Sequence, residues 1–184
     1  MEVPSKGKLL VAEPSILGDA SFNRSVILLA EYSATGAVGF IMNKPLPYTL
    51  RDLLPEMNAD LPVFNGGPVA QDNLYFIHTV PQFIQNSIEI SDGIYWGGDF
   101  ETTRDLINSH QIGPEEIRFF LGYSGWDAEQ LDEELSSGSW YLTPNHLKTR
   151  LIHDDLADYW KRQMNELGGD YLIWSNAPDN PMLN

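Results

Sequence analysis

Apolar positions along this chain fall into short, nearly continuous runs separated by glycine and proline, a pattern of strands more than of long amphipathic helices. Lys8–Glu13 is short and apolar, Ser25–Glu31 is β-branched and almost unbroken, and Ala37–Asn43 follows Gly36 in a hairpin arrangement. Continuous rather than alternating apolar character predicts strands covered on both faces. Pro62–Asn65 and Asn73–Thr79 read as strands on either side of a Gly66-Gly67-Pro68 turn. Ser87–Ile90 and Gly93–Trp96 read as a hairpin turning at Ser91-Asp92, Ile117–Tyr123 as a buried strand, and Trp140–Leu142 as a short one.

Helical spacing is confined to four places. Thr49 is placed to cap a helix carrying Leu50, Leu53, Leu54 and Met57 on one stripe, shortened by Pro55. Asp99 caps a second helix with Phe100, Leu106 and Ile107 inward, and Gly113-Pro114 separates it from the next strand. Asp127 and Gln130 resemble a capping box opening a helix to Ser136 or Ser137, with Gly138 at its end. The last stripe, Leu156, Tyr159, Trp160, Gln163, Met164 and Leu167, predicts a helix from about Asp154 that stops at Gly168-Gly169. Residues 175–184 read as a loose tail. Strands outnumber helices and do not alternate with them, which predicts the α+β class with a mixed, largely antiparallel sheet. Without repeats or linkers, residues 1–184 read as one domain.

Charge narrows the choice of partners. The 184 residues carry 11 Lys and Arg against 26 Asp and Glu, a net charge of −15. Nucleic-acid binding draws most of its affinity from cations that neutralise phosphates. Here Arg24, Lys44 and Arg51 are scattered singly, so direct nucleic-acid binding is disfavoured. The absence of cysteine excludes disulfides, thiolate metal sites and a cysteine nucleophile, and fits a cytoplasmic protein. The longest apolar run, Val26–Ala30, is far below the ~20 residues of a membrane helix, so no membrane association is expected.

Candidate chemistry is sparse. Gly122-Tyr123-Ser124-Gly125-Trp126 invites comparison with a nucleophile elbow, but Trp126 stands where G-x-S-x-G needs glycine. The better reading is a tight strand-to-helix turn with Trp126 packed over it. Asn65-Gly66-Gly67-Pro68 lacks the Lys-Ser/Thr of a phosphate loop and the spacing of a dinucleotide fingerprint. His78, His110, His146 and His153 include no i, i+4 pair, and His153-Asp154-Asp155 is explained by helix capping. No catalytic residue, metal or cofactor is assigned. The acidic segment Asp127–Leu135 reads as a solvated face around Leu131 and Leu135, mildly self-repelling and open to a basic partner.

Three stretches, Gly7–Pro45, Phe64–Thr79 and Arg118–Leu142, in this order and spacing, resemble the bacterial AlgH family, also called YqgE-like. The match rests on Arg24-Ser25-Val26, Glu31, Gly36, Gly39 and Asn43-Lys44-Pro45, then on Gly66-Gly67-Pro68-Val69 and His78. Gly122-Tyr123, Gly125-Trp126, Gln130-Leu131, Glu134 and Trp140 complete it. Many members carry Arg at the position of Lys44. The resemblance implies an α/β sandwich with a mixed-sheet core and carries a transcriptional-regulator label without an established biochemical mechanism. It makes Arg24, Asn43, Lys44, Gly66, Gly67, Pro68, Gly122, Tyr123, Gly125 and Trp126 the candidate binding residues, framing one shallow groove if the motifs converge. The role favoured is that of a regulatory protein acting through a protein partner, and the alternative is a small-molecule-binding protein or enzyme with an atypical pocket.

Overall fold

The computed structural model describes residues 2–16 and 19–178. Within them one strand organises the rest. The strands are β1 (Leu9–Ala12), β2 (Val26–Ser33), β3 (Gly36–Ile41), β4 (Pro45–Thr49), β5 (Pro62–Asn65), β6 (Val69–His78), β7 (Ile88–Ser91), β8 (Ile94–Trp96), β9 (Ile117–Asp127) and β10 (Trp140–Thr143). The helices are α1 (Leu50–Leu53), α2 (Phe100–Asn108), α3 (Gln130–Ser136), α4 (Tyr159–Leu167) and α5 (Tyr171–Asn176). This mostly antiparallel sheet with helices belongs to the α+β class.

The 11-residue β9 is the spine. Along one edge it pairs first with β5, in parallel over Phe119–Leu121, and then with β3, antiparallel over Ser124–Asp127. Along the other it pairs with β6, antiparallel. Beyond β3 the order continues through β2 and β1 to β10, and beyond β6 through β8 to β7. β1 and Val26–Ala30 of β2 are wholly buried, as continuous apolar runs require. Removing each such side chain from water contributes roughly 1.5–3 kcal/mol. The larger core joins β1, β2 and β3 to Trp140, Trp160 and Met164, and the smaller gathers Leu50, Met57, Phe76, Ile107 and Phe119 around α1 and α2.

Several elements differ from the sequence-based expectation. Gly122–Trp126 is not a strand-to-helix turn: β9 runs straight through it to Asp127. Its glycine serves close approach, because the connection between β5 and β6 lies against it. A Cβ on Gly66 would sit 2.2 Å from the carbonyl oxygen of Gly122, and one on Gly67 would sit 2.3 Å from the backbone of Tyr123. β6 begins at Val69, four residues earlier than alternation alone indicates, because an irregular stretch before Leu74 still pairs at Val69–Tyr123. β4 has no counterpart in the sequence pattern.

Helix limits shift as well. The Asp127 N–H does donate to Oε1 of Gln130 (2.9 Å), but the helix itself starts at Gln130, preceded by Glu129 in the left-handed region (φ +67°). α4 starts at Tyr159 rather than near Asp154, because the Asp155 carboxylate accepts the Ala157 N–H (3.0 Å) and holds a turn. Gly168 and Gly169, at φ +69° and +56°, end α4 but do not end the helical region, since α5 follows at once. Of the expected loose tail, Ser175 and Asn176 belong to α5 with Ser175 buried, and residues 179–184 lie outside the described residues.

Candidate functional site

The chain entering β2 builds one side of a pocket. Asn43, just past β3, spans that entry: its Oδ1 accepts the Val26 N–H and its Nδ2 donates to the Arg24 carbonyl, both at 2.9 Å. This pair of bonds explains why an amide is needed there, since one side chain must accept and donate at once. The clamp holds Arg24 in the left-handed region, φ +54°, which costs a non-glycine residue about 1 kcal/mol. The Arg24 guanidinium lies 5.0 Å over the Trp160 ring and donates to the carbonyls of Ala177 (2.7 Å) and Pro178 (3.1 Å). Trp160 is fixed in turn by its indole N–H on the Ala12 carbonyl (2.7 Å).

Lys44 reaches back to the Ser21 carbonyl at 3.0 Å. Partial burial pushes its ammonium pKa down, and the nearby Asp19 carboxylate pulls it back up. Between this loop, the start of α4 and the end of α5 lies a cavity of about 520 Å³, lined among others by Arg24, Asn43, Lys44, Asp158, Trp160, Lys161 and Ser175. Its volume is in the range of small-ligand sites. Three of its lining residues are cationic and one anionic, the reverse of the chain as a whole.

The ten candidate residues therefore divide. Arg24, Asn43 and Lys44 share this pocket, whereas Gly66, Gly67, Pro68, Gly122, Tyr123, Gly125 and Trp126 do not line it. Gly66, Gly67 and Gly122 sit where backbones touch at the β9 junction, Gly125 lies under the Tyr123 ring, Pro68 is exposed beside the junction, and Tyr123 meets Tyr75 edge to face at 5.6 Å. Trp126 is buried beside Phe22 and Trp140. The expectation of a single groove is corrected to two places: a pocket, and a packed sheet junction next to it. Sequence reasoning missed Asp158, Lys161 and residues 175–178 as pocket walls. Trp160 was legible only as a core position, because its apolar stripe is identical whether or not one ring edge faces a cavity.

Other candidates are occupied structurally. Ser124 is buried with its hydroxyl donating to the Gly66 carbonyl (3.1 Å), so the hydroxyl faces no solvent. His78 is buried; its Nδ1 accepts the Val80 N–H (3.2 Å) and its Nε2 lies 3.1 Å from the Gly97 carbonyl. Burial lowers its pKa, while the Gly97 contact raises it. His153 has Glu115 (3.8 Å) and Asp154 (3.5 Å) nearby, and among the described residues no three His, Asp or Glu side chains converge to hold a metal. No helix among the described residues is long and apolar enough to cross a membrane.

Comparison with known proteins places this geometry in a family. The AlgH-like family profile matches residues 9–172. A UPF0301 protein of Bacteroides fragilis is 39% identical over 184 residues, covering 99% of this chain and 92% of that one. One of Chlorobium limicola is 41% identical over 179 residues, covering 97% and 95%. Among solved structures, the AlgH protein of Pseudomonas aeruginosa superposes with a TM-score of 0.72 at 24% identity, over 97% of each chain. Protein DIP2367 of Corynebacterium diphtheriae gives 0.73 at 22% identity, over 96% of this chain and 94% of that one.

Proposed function

The chain belongs to the AlgH-like family, and we propose that it works as a binding protein that takes up a small ligand in the pocket at Arg24, Asn43 and Lys44. One observation carries this reading. Three side chains from the loop before β2 and the end of β3 are held by hydrogen bonds around a cavity whose other walls come from α4 and α5. Convergent polar groups on a concave surface are what a recognition site needs. The loop is also costly to keep, with Arg24 at positive φ and Asn23 Oδ1 buried without a hydrogen-bond partner among the described residues. Such costs cluster where function maintains them.

A second reading, regulation of transcription through a protein partner, draws on Leu172, Ile173 and Trp174 of α5, which are 45%, 70% and 39% exposed. Contiguous exposed apolar side chains favour protein contact. The net charge of −15 favours an indirect role over contact with nucleic acid, and the cytoplasm is the compartment this proposal assumes. The test is a thermal-melt screen against nucleotides and common metabolites. A bound ligand at ~100 times its dissociation constant raises the melting temperature by several degrees. The expected result is a shift that disappears in Lys44→Ala. A flat screen, combined with recovery of a partner that Ile173→Asp no longer binds, would replace the first reading with the second.

A further inference from the structure

Resting on the reading of this cavity as a ligand site, we infer that its ligand is a small, multiply charged oxyanion, bound by the ammonium groups of Lys44 and Lys161 beside the Arg24 guanidinium. The sign of the pocket is the first ground. Arg24, Lys44 and Lys161 line the cavity with one carboxylate, Asp158, and a second, Asp19, lies near Lys44, so cations lead three to two in a chain where acids outnumber bases by more than two to one. Salt screens the molecule's overall negative field beyond about 8 Å at physiological ionic strength, so the local cations decide what enters.

The second ground is donor capacity. The Lys44 ammonium has three N–H donors, and its bond to the Ser21 carbonyl uses one of them. Lys161, on the first turn of α4, is exposed at the rim and able to swing onto an anion. Arg24 has a different part. Its guanidinium holds the carbonyls of Ala177 and Pro178, which form the opposite wall of the cavity, and it stacks on Trp160. Its charge adds to the field while its hydrogen bonds keep the wall in place. α5 follows α4 through two glycines at positive φ, and the Arg24 bonds fix the far end of this wall.

The test measures melting temperature against pyrophosphate, citrate and glycerol, each referred to sodium chloride at matched ionic strength. Pyrophosphate or citrate should raise the melting temperature and glycerol should leave it unchanged; which anion binds tighter assigns the ligand to phosphates or to polycarboxylates. Loss of one charge-assisted bond should weaken binding about tenfold in Lys44→Gln and in Lys161→Gln. Lys161 is exposed, so its variant folds even if the other does not, while Lys148→Gln, away from the pocket, should change nothing. Anion binding no tighter than chloride, or unaltered in both pocket variants, would overturn the inference. If an uncharged metabolite from the wider screen still binds, the ligand-site reading survives alone; if none does, both fall.

Discussion

Trp126 on β9 and Trp140 on β10 meet edge to face with ring centroids 6.0 Å apart, and both indole N–H groups donate to the same oxygen, Oε2 of Glu134. The bonds are 2.9 and 2.7 Å long, and the carboxylate's other oxygen is held by Gln130 Nε2 at 2.9 Å. One side chain of α3 thereby ties the helix to two strands that are far apart in sheet order.

Glu134→Ala should destabilise the fold by about 2–3 kcal/mol, because two largely buried indole N–H groups lose a charged acceptor. Glu134→Gln should cost less, since its amide oxygen still accepts. Urea denaturation measures the difference, and a change in native tryptophan fluorescence in the alanine variant would report the loosened ring pair. Equal stability of both variants and the parent would refute the shared-acceptor account.

Arg118 is 6% exposed and donates to the carbonyls of Ile152 (2.7 Å), Met42 (2.8 Å) and Asp154 (2.9 Å), with its guanidinium 4.2 Å over the Phe64 ring. Burial lowers its pKa to about 10, an effect that Asp154 and Asp155 partly offset. Arg118→Met should cost about 3 kcal/mol or more by orphaning three carbonyls. Arg118→Lys should not restore it, because a compact ammonium lacks the planar fork that reaches all three. Chemical denaturation of the two variants checks this.

Gly66→Ala should be among the most damaging single changes. The added methyl would lie 2.2 Å from the Gly122 carbonyl oxygen, a backbone atom in the middle of β9 that cannot move without breaking its ladder. A loss of about 3 kcal/mol or failure to fold is expected. Gly113→Ala, with nothing within 4 Å of the new carbon, should stay within about 0.5 kcal/mol of the parent. Thermal melts of the pair would show whether close packing or the glycine backbone itself matters.

His78 sets a pH dependence. Its Nδ1 accepts a backbone N–H, so the folded state holds the neutral ring, and burial lowers its pKa from the ordinary 6.5. As pH falls through about 6.5 the unfolded chain takes a proton that the folded chain refuses, so stability present above that value is lost on acidification. Between pH 7.5 and 5.5 the parent should lose stability relative to His78→Gln. A constant difference between the two across that range would remove the histidine from the account.

Much of the molecule was legible in the residue order alone. β1, β2 and β3, the β7–β8 hairpin (which turns at Asp92-Gly93 rather than Ser91-Asp92), the Asp99 cap with its Thr102 N–H bond (2.9 Å) and the α+β class all arise from local patterns. The reason is that burial on both faces and capping each leave a mark within a few residues. The family, too, was legible, because its motifs are contiguous. Three things were settled only in three dimensions. Gly122–Trp126 became strand rather than turn because a separate glycine connection packs against it, and glycine looks alike in both roles. α5 formed beyond a glycine pair that locally reads as a stop. The pocket joined Arg24, Asn43 and Lys44 to Trp160, Lys161 and Ser175, more than a hundred residues away. Composition and periodicity report whether a side chain is buried; which distant surfaces meet around a cavity depends on sheet order and helix docking, and these leave no periodic trace in the chain.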